Sequence, residues 1–296
     1  MFLLPITDWD NAYANAPNIP NGDQWPARWA AMAQAFRERM VSQGRAQLDQ
    51  VYGAGSRQRF DLFWPACEAK GLVVVVHGGF WMRFDKSMWS HLAAGCVEMG
   101  FAVAVPSYTL CPEVRIRDIS REIAQAIVQT AARVAGPIHL VGHSAGGHLV
   151  TRMVTTTTPL PEEVGARIGE TLSISGLHDL RPLMRTTLNT TLKIDETEAL
   201  EESPALLQPR TGVRLTCWVG ASERAEFIRQ NALLGNVWTG LGAGTRVVEE
   251  PDRHHFDVVE GLLAPSSPLL TCLLQDDGSA GLKNTRSPLA FYPANG

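Results

Sequence analysis

The segment that most restricts the fold is Ile138-His139-Leu140-Val141-Gly142-His143-Ser144-Ala145-Gly146-Gly147-His148-Leu149. An apolar run short enough for a buried strand meets Gly-x-Ser-x-Gly and continues into an apolar helical pattern. A sharp strand-to-helix turn needs small residues on both sides of its apex, because a Cβ there would strike the crossing backbone. Such a turn lifts the serine hydroxyl above the sheet edge and aims the helix N-terminus at a reacting carbonyl. The pentapeptide alone is weak, since Gly and Ser are common. Between a strand and a helix it reads as a nucleophile elbow, with a plain glycine-rich turn as the competing reading.

Around the elbow the chain alternates between two periodicities. Phe60–Trp64 alternates in polarity and reads as an early strand. Leu72–Val76, Phe101–Val105, Ile138–Val141, Leu172–Ile174, Leu215–Val219 and Arg246–Val248 are short apolar runs bounded by turns. Short, valine-rich, continuous runs suit strands covered on both faces. Helical spacing appears over residues 24–43 (Trp25, Trp29, Met32, Phe36, Met40), Ser87–Met99 and Ile119–Val134. Asp118 is the expected N-cap of the last of these, and Gly136-Pro137 ends it. Strands alternating with helices imply right-handed βαβ units in a doubly wound, mostly parallel central sheet flanked by helices. We expect one domain over 1–296, with a helical N-terminal segment (1–50). Residues 181–210, rich in Thr and Leu, break the rhythm and are expected to form a small cap or insertion. The polar stretch 276–296 is expected to be a flexible tail.

A serine hydroxyl becomes a nucleophile only beside a base, and the base needs an orienting carboxylate. On this sheet the order is Ser, acid, His, with the acid after a late strand and the histidine after the last. Gly220-Ala221-Ser222-Glu223 follows Leu215–Val219, so Glu223 is the expected acid, a solvated loop carboxylate being the alternative and Glu226 the nearest substitute. His255 is the expected base, and His254 its competitor. Upstream, the strand Leu72–Val76 runs into His77-Gly78-Gly79-Phe80-Trp81. Backbone N–H groups of such a loop, with the N–H after the nucleophile, form an oxyanion hole. The candidates are Gly78, Gly79, Phe80 and Ala145. Phe80 and Trp81 are weighed equally as walls of a substrate pocket and as packing. His77 reads as a structural residue, as do His143 and His148; His91, His139 and His178 belong to no evident constellation.

Composition narrows the field. A formal charge of -4 without a basic block gives no support for a nucleic-acid partner or a charged membrane surface. The apolar start lacks the positive region of a signal peptide, and no apolar stretch reaches the ~20 residues that span a bilayer. A cytoplasmic location is therefore expected. The five cysteines are scattered, which argues against a zinc cluster or disulfide framework; Cys111 reads as a packing residue. No metal site and no cofactor is expected, since neither metal-ligand spacing nor a phosphate loop occurs.

The segments His77–Trp81, Gly142–Leu149, Glu223-Arg224-Ala225-Glu226-Phe227-Ile228-Arg229-Gln230 and His255-Phe256-Asp257 resemble the kynurenine formamidase (arylformamidase) branch of the esterase/lipase α/β-hydrolases. Arg57–Phe63 is similar to that family's first core strand, and Ser175–Leu183 to the strand end and loop after its elbow. The likeness covers about residues 50–265. It implies the α/β-hydrolase fold, with Ser144 as nucleophile, Glu223 as acid and His255 as base. One departure stands out: animal formamidases usually carry Asp where this chain has Glu223. The metal-binding motif of the unrelated metal-dependent formamidases is absent. The resemblance implies hydrolysis of a small aryl formamide, amide or ester through an acyl-enzyme. A general carboxylesterase and a non-catalytic binding protein on the same fold are the alternatives. The expected partner is the small-molecule substrate, with a homodimer as the assembly to test.

Overall fold

The computed structural model describes residues 5–274. Among these, eight strands form one sheet in the order β1-β2-β4-β3-β5-β6-β7-β8. They are β1 (Ala46–Val51), β2 (Arg59–Phe63), β3 (Leu72–Val76), β4 (Ala102–Pro106), β5 (Ile138–His143), β6 (Ile168–Ile174), β7 (Arg214–Gly220) and β8 (Gly244–Glu250). β1 pairs antiparallel with β2 and β2 antiparallel with β4; from β4 across to β8 every pairing is parallel. β3, β4 and β5 are buried at every position, as expected for strands covered by helices on both faces. β1 was not anticipated from sequence. It alternates between half-buried and exposed at an edge, and its polar residues carry no continuous apolar run.

Helices α1 (Trp9–Tyr13) and α2 (Trp25–Ser42) precede the sheet, so the N-terminal segment is helical until Ala46 opens β1. α2 buries Trp29, Ala33, Phe36 and Met40, one stripe at helical spacing. The expected helix over Ser87–Met99 is divided into two 3₁₀ turns, Lys86–Met88 and Ser90–Ala93, and the short α3 (Ala94–Glu98). α4 (Ile116–Ala131) starts before the expected position. Asp118 is its third residue, not its N-cap, and its Oδ2 accepts from the Arg115 N–H at 3.2 Å, satisfying an N–H at the start of the helix from within the first turn. α5 (Ala145–Arg152) follows the elbow, and α6 (Glu162–Gly165) precedes β6.

Between β6 and β7 lie a 3₁₀ turn at Arg181–Arg185, α7 (Asn189–Leu192), α8 (Glu196–Glu202) and a second turn at Pro204–Leu206. Two carboxylates tie α8 to the body: Glu198 to Arg115 at 2.7 Å, and Glu202 to Arg152 at 3.0 Å. α9 (Ala225–Gly240) covers β7 and β8, and α10 (Pro268–Leu274) ends the described chain. The expected tail, 276–296, lies outside the described residues.

Candidate active site

The C-terminal ends of β3, β5, β6, β7 and β8 face one region, where crossover connections of a parallel sheet gather side chains from distant parts of the sequence. Ser144 stands at the apex after β5 with φ +55° and ψ -118°, a backbone state that is costly for a non-glycine residue and persists only where its surroundings enforce it. The flanking glycines are what permit it. A Cβ on Gly142 would lie 2.0 Å from the Gly146 carbonyl oxygen, and one on Gly146 would lie 2.0 Å from that of Val76. Ala145 is the first residue of α5, so its N–H has no acceptor within the helix.

The loop after β3 carries a second run of positive φ: +112° at Gly79, which glycine allows, and +50° at Phe80 and +55° at Trp81, which are costly. His77 braces it. The His77 Nδ1–H donates to the Gly78 carbonyl at 2.7 Å, and the ring stacks on Tyr108 with centroids 4.3 Å apart. Burial, with Arg57 adding to it, pushes the imidazole pKa down to about 4, so the ring is neutral and structural. Arg57 holds the same loop from outside by donating to the Tyr108 carbonyl at 2.8 Å and to the Phe84 carbonyl.

Glu223 and His255, 32 residues apart, meet with Oε2 2.6 Å from Nδ1. The glutamate side chain is fully buried and the histidine side chain 4% exposed. The other carboxylate oxygen, Oε1, accepts from the Gly220 N–H at 2.9 Å and the Ser175 Oγ at 2.5 Å. Phe227 and His143 flank the His255 ring, with centroids 4.5 Å and 4.6 Å away. His143 Nε2–H also donates to the His255 carbonyl at 2.9 Å. Sequence reasoning gave His143 no specific task; here it fixes the histidine loop against the elbow.

The competing residues are occupied elsewhere. His254 Nδ1 accepts from the backbone N–H groups of Phe256 and Asp257, and its ring meets Trp25 edge-on at 5.2 Å. Glu226 pairs with Arg229 at 2.7 Å and accepts from Tyr13 Oη at 2.7 Å. Burial pushes the Cys111 thiol up to about 12, which leaves it protonated and inert.

Ser144, His255, Gly79 and Phe80 line a cavity of about 620 Å³. Trp29, Phe84, Trp89 and Phe256 make its lining aromatic, with Asp10, Asp23 and Arg83 as its charged members. Trp81 is a correction: it is fully buried in the core, edge-on to His148 at 5.1 Å, and does not line the cavity. Its apolar bulk is used for packing beneath the loop, whereas Phe80 reaches the cavity. Thr187 and Leu188 come from the expected cap segment. The larger share that sequence reasoning missed is N-terminal: Tyr13, Asn15, Pro17 and Pro26 all line the cavity. The signal available was the aperiodic Asn15-Ala16-Pro17-Asn18-Ile19-Pro20-Asn21-Gly22, an ordered loop of the kind that carries binding residues. Among the described residues no group of His, Cys, Asp or Glu could hold a metal ion, and no helix is long and apolar enough to cross a membrane.

This sheet order, with its elbow and late histidine, defines a hydrolase of the α/β type, and the chain belongs to the alpha/beta hydrolase family, whose model matches residues 73–289. It is 26% identical over 254 residues to a kynurenine formamidase of Danio rerio, covering 82% of this chain and 86% of that protein. It is 27% identical to a kynurenine formamidase of Salmo salar with the same coverage. A crystal structure from Silicibacter sp. tm1040, provisionally assigned as a thioesterase, superposes with a TM-score of 0.85 at 48% identity. It covers 90% of this chain and 98% of its own.

Proposed function

We propose that the protein is a serine hydrolase that cleaves a small aryl formamide, amide or ester through an acyl-enzyme. The observation that carries this reading is the 2.6 Å pairing of His255 Nδ1 with a fully buried Glu223, beside a cavity that His255 shares with Ser144. In this reading Ser144 Oγ attacks the substrate carbonyl while His255 Nε2 takes its proton. Glu223 fixes the tautomer with the proton on Nδ1 and stabilises the imidazolium that forms. The N–H groups of Gly79 and Ala145, with Phe80 beside them, receive the oxyanion, and Gly78 keeps the loop against the elbow. Each such donor contributes about 3 kcal/mol in the transition state. His255 then protonates the leaving amine or alcohol, and the same base activates the water that releases the acyl group.

Phe80, Trp29, Trp89 and Phe256 suit an aromatic leaving group, and the likeness to kynurenine formamidases supports a formamide. A thioester is the second reading, favoured by the provisional assignment of the 48% identical structure. A cytoplasmic location belongs to this proposal. The test is a side-by-side measurement of kcat/KM on N-formylkynurenine, p-nitrophenyl acetate and a short acyl thioester, with Ser144→Ala as control. Preference for the formamide supports the first reading. Preference for the thioester replaces it with the second, and turnover that survives Ser144→Ala overturns the serine mechanism.

A further inference from the structure

We propose that Ser175 is a positioning residue for Glu223, the hydroxyl that holds its carboxylate turned toward His255. The inference rests on the serine-hydrolase reading above and assigns a task to a residue outside the catalytic set. Ser175 directly follows β6, is fully buried and has φ +51°. A non-glycine residue holds that conformation at a cost, and such residues cluster where a site needs them. The surrounding chain enforces it: the Ser175 N–H donates to the Trp218 carbonyl of β7 at 2.6 Å. The consequence is local. Oγ lies 2.5 Å from Glu223 Oε1 and gives its single proton to the carboxylate.

The donors around that carboxylate are divided unequally. Among the described residues, Oε1 takes the Ser175 hydroxyl and the Gly220 N–H, while Oε2 faces His255 Nδ1. A glutamate has one more rotatable bond than an aspartate, so its carboxylate loses more freedom when fixed. Two donors on Oε1 supply that fixation and keep Oε2 turned to the imidazole. Ser175 is not among the residues lining the cavity, so it acts on substrate only through Glu223.

The experiment measures kcat, KM and the pH profile of kcat/KM for Ser175→Ala and Ser175→Gly, each alone and on a Glu223→Gln background. The substrate is whichever of the three compounds above the wild type turns over. Glycine accepts the positive φ without strain, so Ser175→Gly removes the hydroxyl and leaves the backbone at ease. Both single variants are expected to lose about 30-fold in kcat, the size of a hydrogen bond to a charged group, with KM unchanged within about twofold. The acid limb of the profile is expected to move to lower pH, because a carboxylate free to turn from Nδ1 stabilises the imidazolium less. On the Glu223→Gln background neither change should remove anything more. Wild-type kcat in both variants overturns the proposal. So does recovery in Ser175→Gly alone, which would make strain the cause, and so do losses that multiply in the double variants. If Ser144→Ala retains turnover and a fluorophosphonate fails to label the wild type at Ser144, the underlying reading fails, and the proposal with it.

Discussion

The strand-end wall of the cavity and its N-terminal wall are built by different means. At the strand ends the non-glycine residues Phe80, Ser144 and Ser175 have positive φ, and each sits at a turn fixed by parallel pairing below it. The N-terminal wall lies outside the sheet and is held by the packing of Tyr13 and Trp29 together with side-chain bonds. Tyr13 Oη donates to Glu226 at 2.7 Å, Asp10 accepts from the Thr187 N–H at 2.6 Å, and Arg224 donates to the Asn11 carbonyl at 3.1 Å. Segments outside a paired sheet open locally at lower cost than a turn inside it. In the proposed reading, the first wall carries the chemistry and the second retains substrate.

The largest effect should come from the first wall. Ser144→Ala is expected to lower kcat by at least about 10⁴-fold while leaving thermal unfolding nearly unchanged; a stopped or continuous assay beside a melting curve checks both halves. Glu223→Gln should cost about 10³-fold or more, because the amide cannot stabilise an imidazolium and its NH₂ favours the wrong tautomer. Glu226→Gln is the matched control three residues on. It weakens the tether of the N-terminal wall, so KM should rise and kcat should hold within about threefold. Equal kcat losses in the two glutamate variants would break the comparison.

These two walls also differ in how legible they are in the sequence. The elbow could be read locally, because Gly142 and Gly146 leave no room for a Cβ and the motif sits between a buried strand and a helix. Glu223 and His255 follow from chain order: the first comes after the buried run of β7, the second after β8, whose only apolar residues are Val247 and Val248. Strands β3, β4, β5 and β7 could be read from their largely apolar, buried runs. What escaped depends on partners far away in sequence. Tyr13 meets Glu226 across 213 residues, and nothing in the periodicity of either segment names the other. In sequence Trp81 reads equally as pocket wall or core, and the packing against His148 places it in the core. Ser175 carries no pattern of its own; its role follows from a φ value and a distance. The broken helix at 86–98 kept its apolar spacing while the backbone tightened into 3₁₀ turns.

Acid should separate the walls without mutation. Burial lowers His77, His91 and His148 to about 4 and His178 to about 3, and holds His143 well below its ordinary value. Their folded pKa values lie below the unfolded 6.5, so between these limits the unfolded chain binds more protons. Stability from each histidine is therefore fully present above about pH 6.5 and is lost as pH falls toward 4, at about 1.4 kcal/mol per pH unit per histidine. His77, His143, His148 and His178 stand beneath the strand ends, and no histidine precedes His77 in the chain. Melting temperature should fall steeply below pH 6.5, with proton uptake on unfolding measurable by calorimetry in buffers of different ionisation heat. A flat melting temperature between pH 7 and 5 would remove the buried histidines from the account.

The smallest expected effect is the most informative about how the walls communicate. Tyr13→Phe removes one buried hydroxyl, whose loss leaves Glu226 with Arg229 and Gln230 as partners. A net hydrogen bond of about 1 kcal/mol corresponds to roughly a fivefold change. If the N-terminal wall only retains substrate, that change appears in KM and in thermal stability, with kcat within about twofold. Phe227 is the residue that could carry more. Its ring contacts Tyr13 at 6.0 Å on one side and His255 at 4.5 Å on the other. A fall in kcat with unchanged KM in Tyr13→Phe would mean that the tyrosine holds Phe227 against the imidazole, and the N-terminal wall would then belong to the catalytic machinery. Steady-state kinetics of Tyr13→Phe beside Phe227→Leu decides it, because coupling through the ring makes the two losses non-additive.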